Sequence, residues 1–236
     1  MILLVVDTAL DACAAAVVRT DDGGRSIVAE SETIGRGHAE RLMAVIGRAV
    51  ERAGIGLADV DAFAASIGPG SFTGIRVGVA AVRGFAVATG RPAIGVSSLD
   101  ALAREAAAVA PERPILAVLD ARKDEVYART YAADLAPLGP PTVVGVDVAI
   151  DEARRNGAVV VGSGAPLLAP RAPDLAVAGS QRFAAIETLA GLAADRFAAG
   201  DRTSPAPLYV RPPDAKPQSA HRLARLTPTR PGEGAA

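Results

Sequence analysis

The sequence predicts an α/β protein made of two similar halves, and three observations carry this. Aliphatic strands and amphipathic helices follow one order twice: strand, strand, strand, helix, strand, helix. Each pass opens on a strand that ends in Asp, VVDTA at Asp7 and VLDAR at Asp120. The 236 residues are 50% hydrophobic but only 3% aromatic, so they can bury one large or two small cores built from Ala, Val, Leu and Ile.

Taken in order, ILLVVDT is a buried strand ending in a turn, and ACAAAVVR from Ala12 is its hairpin partner. SIVAESETI from Ser26 alternates apolar and polar residues as a third strand. Gly35 and Gly37 break the chain before a helix, HAERLMAVIGRAVERAG, that begins at His38. DAFAASIG from Asp61 is a strand that feeds GPGSFTG and a helix over 74–89. RPAIGV is a short strand, and SSLD starts the next helix, with Ser97 and Asp100 at the spacing of a capping box. The second pass runs PILAVLDARKDEVYARTY as strand, turn and strand, then PPTVVGVDVA as a third strand and IDEARRN as a short helix. VVVGSGA follows as a strand into a Gly turn, and RFAAIETLAGLAADRFAAG as the last helix. LYVR is strand-like and placed to pack on the body. From Pro212 on, Pro, Arg and small polar residues leave too little apolar surface to offset ordering, so a disordered tail is expected.

A net charge of −1 and a pI near 6.2 argue against a strongly basic nucleic-acid binder, though not against work on nucleic acid within a complex. One cysteine, Cys13, excludes an internal disulfide and a cysteine zinc site. The apolar start lacks a basic region and reaches Asp7 too soon for a signal peptide, and no run has the length to cross a bilayer. The expectation is a cytoplasmic protein with no membrane contact.

The motifs divide between chemistry and packing. Asp7 and Asp120 at strand ends between two lobes could hold Mg²⁺ or orient water near a phosphate, with Thr8, Arg122 or Lys123 assisting. The turns beyond them lack the glycines that let backbone N–H groups reach phosphate oxygens, so plain hairpin turns explain them as well. Gly162, Ser163 and Gly164 end a strand and could touch an adenine or a phosphate. His38 lacks a second histidine four residues on, because Leu42 stands there, so no metal is expected and the imidazole serves a cap or a nearby hydrogen bond. GPGSFTG has no P-loop Lys and no G-x-S-x-G spacing, which leaves packing. Ala39, Leu42, Met43, Ile46, Ala49, Val50 and Ala53 recur at spacings of three and four, a seam that suits the chain's own sheet or a partner helix equally. Gly74, Gly78 and Ala81, continued by Gly84 and Ala88, form a small-residue strip. A mid-helix Gly costs roughly 1 kcal/mol relative to Ala, so something must approach closely there.

GPGSFTGIRVGVAAVRGFA, with ILLVVDTALDACAAAVV, GHAERLMAVI, VSSLDALA, LDARKDEVYA and PLYVRPPDAK, resembles the TsaB (YeaZ) family from the first strand to about Lys216. The resemblance implies the two-lobed actin-like, sugar-kinase-like ATPase (ASKHA) fold. It implies a first lobe at 1–99 that carries a helical interface and a second at 100–211, whose last helix, 183–199, can return to the first; the tail is 212–236. It further implies a non-catalytic dimerisation subunit that pairs with a paralogue, TsaD, and is joined by the ATPase TsaE. Together these transfer a threonylcarbamoyl group to the adenosine beside the anticodon of tRNAs reading codons that start with A.

By that resemblance the interface falls on His38, Ala39, Leu42, Met43, Ile46, Ala49, Val50, Gly74, Gly78 and Ala81. A degenerate nucleotide cleft falls on Asp7, Thr8, Asp120, Gly162, Ser163 and Gly164. TsaD carries an intact His-x-x-x-His pair, which this chain breaks at Leu42. No cofactor is required, residual ATP or ADP binding stays open, tRNA is met only through the complex, and the free protein could self-pair. An active ATPase or sugar kinase of the same fold is the alternative; a peptidase has no metal pair or Ser/His/Asp set to rest on.

Overall fold

The computed structural model describes residues 1–211, so the expectation for the tail lies outside the described residues. Two five-stranded sheets are built to one plan. In the first half β1 (Ile2–Asp7), β2 (Ala12–Asp21) and β3 (Gly24–Thr33) form an antiparallel meander. After α1 (His38–Arg52), β4 (Ala62–Gly68) adds parallel to β1. Next come α2 (Phe72–Thr89), β5 (Ala93–Ser97) parallel to β4, and α3 (Ser98–Val109). The sheet order is β3-β2-β1-β4-β5.

The second half repeats this with β6 (Ile115–Arg122), β7 (Glu125–Tyr131), β8 (Thr142–Gly145), α4 (Val146–Asn156), β9 (Val159–Val161), α5 (Ala165–Leu168), β10 (Val177–Gly179) and α6 (Ile186–Ala198). Its order, β8-β7-β6-β9-β10, is the same arrangement. Each half thus holds one more strand and helix than the repeat read from sequence. In the second half α5 and β10 were missed, because four-residue and three-residue elements show no period. VDVA begins α4 rather than ending a strand.

The two central strands are buried on both faces, which is why they read as unbroken apolar runs. Leu4 and Val6 face α1 and α2, while Leu3 and Val5 face the space between the sheets. There the halves exchange their last helices. α6 lies on the first sheet through Ile186, Leu189 and Ala193, and α3 packs on β6 of the second. One core therefore runs from sheet to sheet. The other face of the second sheet is covered by α4 and α5.

Ser97 caps α3, its Oγ accepting from the Leu99 amide at 3.2 Å. Asp100 does not close the capping box. It turns to β7 and accepts from the Tyr131 hydroxyl at 2.6 Å and from Arg129 at 3.1 Å, tying the start of α3 to the second sheet. After α6, residues 201–211 return across the molecule without becoming a strand. The Leu208 amide donates to Ile67 at 2.8 Å, Tyr209 packs beside Phe72, and Arg211 pairs with Glu125 on β7.

Candidate functional site

Two regions gather the residues singled out from sequence: the cleft between the halves, and the outer layer made by α1 and α2. The cleft encloses about 1360 Å³, and Asp120, Ser163 and His38 line it. Asp7, Thr8, Gly162 and Gly164 do not. β1 ends in a turn that the start of α2 covers. A Cβ at Gly74 would stand 2.0 Å from the Thr8 carbonyl oxygen, and one at Gly70 would stand 2.2 Å from that of Ala9. The glycines of GPGSFTG therefore let α2 close over the chain's own turn. Thr8 is committed there too, its Oγ1 donating to the Gly74 carbonyl at 2.7 Å.

Asp7 is buried, and its Oδ1 accepts from the Ala9 amide at 2.9 Å. Burial pushes its carboxyl above the usual range, outweighing the hydrogen bonds from Ala9 and Ser66. On the second half, Asp120 is exposed; its amide donates to Ser163 Oγ at 3.1 Å and its Oδ1 accepts from the Arg122 amide at 2.7 Å. Gly162 and Gly164 serve packing. A Cβ at Gly162 would meet the Val118 carbonyl at 2.2 Å, and one at Gly164 would press on Val118 and Val126. Of the six nucleotide-cleft residues, then, two face the cleft and four are internal.

His38 is buried at the start of α1. Its Nε2 lies 2.8 Å from the Leu10 carbonyl, which can only accept, so Nε2 carries the proton. The ring ties α1 to the β1–β2 turn and does not cap its own helix, whose N-cap is Gly37. Cys13 sits beneath, its Sγ donating to the His38 carbonyl at 3.9 Å; burial pushes the thiol up to about 11. Among the described residues no three His, Cys, Asp or Glu side chains come together as a metal site.

The interface read from sequence splits in two. Leu42, Ile46 and Ala49 turn inward, with Val45, onto Leu4, Val6 and Phe63 of the first sheet. Gly74 and Gly78 face inward too; a Cβ at Gly78 would lie 2.7 Å from Thr8 Oγ1. Leu42, Ile46 and Ala49 meet the chain's own core because the apolar stripe of α1 is centred on the sheet, and Gly74 and Gly78 because α2 closes over the turn after β1. Val50 and Ala81 are half-buried, and Ala39 and Met43 are exposed, Met43 by 56%.

Sequence reasoning named Gly84 and Ala88 beside that exposed pair and missed Gly47, Ala80 and Val87. On α1, Ala39, Met43 and Gly47 stand four residues apart on the outer surface; on α2, Ala80, Gly84 and Ala88 do the same, beside Val87. The two helices touch, and a Cβ at Gly47 or Gly84 would meet nothing within 4 Å. The opposite flank of α1 is taken up by ion pairs of Arg41, Arg48 and Arg52 with Glu30 and Glu32 on β3. The signal for this face was present: α2 carries no acid and only two arginines among its 18 residues, so apolar and small residues extend beyond the stripe that meets the sheet. That also corrects the expectation that no segment is long and apolar enough to cross a membrane, since α2 meets that test by length and composition. Here one of its faces packs on the sheet through Ile75, Val79 and Val82.

A family profile described as TsaD, tRNA N6-adenosine threonylcarbamoyltransferase, matches residues 28–156. A protein of Escherichia coli named tRNA threonylcarbamoyladenosine biosynthesis protein TsaB is 37% identical over 134 residues, 57% of this chain and 56% of that one. The solved structure of YeaZ from Pseudomonas aeruginosa superposes with a TM-score of 0.71 at 29% identity, covering 88% of this chain and 99% of the other. This chain belongs to the TsaB (YeaZ) family. An uncharacterized protein of Mycobacterium tuberculosis is similar over nearly the whole length, 36% identical over 228 residues, 91% of this chain and 94% of that one. Membership accounts for the duplicated sheets and exchanged helices, which are the actin-like, sugar-kinase-like arrangement.

Proposed function

We propose that this chain is a non-catalytic docking subunit in tRNA threonylcarbamoyladenosine biosynthesis, and that it pairs with a TsaD-type catalytic partner through the outer faces of α1 and α2. One observation carries the reading. The turn after β1, where a kinase-like cleft would take phosphate, is filled by the start of α2, while the same helix leaves a small-residue face uncovered. Small residues let a partner helix approach closely, and the exposed Met43 and Val87 supply apolar area to bury. The TsaB relatives support the pathway, and the TsaD match supports a paralogous partner of like architecture.

On this reading the chain needs no cofactor of its own, because Thr8 and Asp7 are spent inside the fold. A TsaE-type ATPase joins the pair, tRNA is met in the assembly, and the setting is the cytoplasm. In the absence of a partner, the same face pairs two copies of this chain.

The test is a mass measurement on the protein mixed with its TsaD-type partner. Met43→Glu and Gly84→Leu, both at exposed positions with room around them, should keep the fold and abolish the heterodimer. Heterodimer formation by the doubly substituted protein at wild-type concentrations would overturn the assignment.

A further inference from the structure

The exposed surface of α2 has two sides, and only one is used by the docking proposal. Successive residues advance by 100° around a helix, which places Phe72, Arg76 and Arg83 on a second strip beside Ala80 and Gly84, with Val87 on the border between the two. α2 contains no Asp or Glu in its 18 residues. Arg83 has neither an ion pair nor a side-chain hydrogen bond among the described residues, and the same is true of the Arg91 side chain. Arg83, Arg91 and Arg202 share one shallow depression whose wall includes no carboxylate.

Arg202 is already held in place. Its Nη1 donates to the carbonyls of Phe197 and Asp201 at 2.8 and 2.7 Å, and its guanidinium lies 3.7 Å from the centre of the Phe197 ring. At the other end of the strip, Arg76 lies 3.6 Å over the Phe72 ring and donates to the Tyr209 hydroxyl at 2.7 Å. Phe72 and Tyr209 are the only exposed aromatics among the described residues, and their ring centres are 5.5 Å apart.

Helix-dipole compensation explains cations near the end of α2 and the cap that Arg202 gives α6. It does not explain Arg76, in the first half of α2, or the absence of any acid on the helix. We propose that this strip, Arg76, Arg83, Arg91 and Arg202, is a contact track for the phosphate backbone of RNA, with Tyr209 and the Arg76 guanidinium offering a stacking surface to an unpaired base at one end. The inference rests on the proposed role in tRNA modification, which supplies the RNA. Acid-free arginines spread along about 20 Å of helix suit a polyanion, and exposed aromatic–arginine pairs stack bases of any sequence. The near-neutral net charge of the whole chain does not oppose this, because the charge is local.

The test uses the protein bound to its TsaD-type partner and an unmodified tRNA transcript, with affinity measured across a range of salt. Each arginine on phosphate should contribute about 0.7–0.9 to the slope of log K against log salt. Arg83→Gln combined with Arg91→Gln, at positions that make no side-chain bond in the fold, should lower the slope by about 1.5 and leave heterodimer formation unchanged. Tyr209→Ala should weaken binding several-fold with the slope kept. An unchanged slope in the double variant, with the heterodimer intact, overturns the RNA track and leaves the docking proposal standing. Loss of the heterodimer instead would make the strip a protein contact, which also overturns it. Failure of the wild-type chain to pair at all counts against the docking reading itself.

Discussion

Changing Gly74 or Gly84 to Ala makes the same chemical change in the same helix, and the structure predicts opposite outcomes. Either substitution removes a flexible residue and should gain up to about 1 kcal/mol of helix propensity. At Gly84 the new methyl group meets nothing within 4 Å, so that gain stands, and the melting temperature should rise by about 2–4 °C for a chain of this size. At Gly74 the methyl group would lie 2.0 Å from the Thr8 carbonyl oxygen. The start of α2 must then move off the β1 turn, at a typical overpacking cost of about 1–3 kcal/mol. The bond from Thr8 Oγ1 to the Gly74 carbonyl would stretch or break, and a buried polar group left unpaired costs about 1–3 kcal/mol more. Net of propensity, the loss should be about 1–5 kcal/mol, read as a lower denaturant midpoint with an unchanged slope. Equal stabilisation by both substitutions would refute the argument that these glycines let α2 close over its own turn.

Other outcomes follow from the same geometry. Leu42→Ala should destabilise the free protein by about 2–5 kcal/mol, whereas Met43→Ala should change its denaturation midpoint little, because only Leu42 is buried in the core. Asp7 has a folded pKa above its unfolded value, so its stabilising contribution is complete below about pH 4 and is lost as pH rises through the folded pKa. Asp7→Asn, which can still accept from the Ala9 amide, should therefore gain stability relative to wild type as pH rises from 4 to 7; a constant difference in denaturation free energy across that range would contradict the burial argument. Cys13, fully enclosed and with its thiol pushed up to about 11, should resist a thiol reagent at pH 8 in the native protein and react once per chain after denaturation.

Much of the fold was legible because its signals are local. The unbroken runs at Leu3–Val6 and Ile115–Leu119, each ending at an Asp turn, marked the two central strands and with them the duplication. The short second-half elements α5 and β10 left no such trace, and Asp100 stood at the right spacing for a capping box while its side chain answered a tertiary partner, Tyr131. The site was less legible for a related reason. Periodicity showed that α1 and α2 have apolar stripes, but which stripe meets the sheet depends on how the helix is rotated, and that is set by packing between elements. Leu42 and Met43 are adjacent and both apolar; one is enclosed and the other is 56% exposed. The glycines of GPGSFTG announced a close approach, and only the tertiary structure names Thr8 and Ala9 as what is approached.

Whether this kinase-shaped body works by docking can be read in living cells. Threonylcarbamoyladenosine would be quantified by mass spectrometry in tRNA from a strain whose only copy of this chain carries Met43→Glu and Gly84→Leu, beside one carrying Asp7→Asn and Asp120→Asn. The modified base should be lost in the first strain and near normal in the second. The reverse pattern, modification surviving without the outer helical face and failing without the two carboxylates, would contradict the docking role.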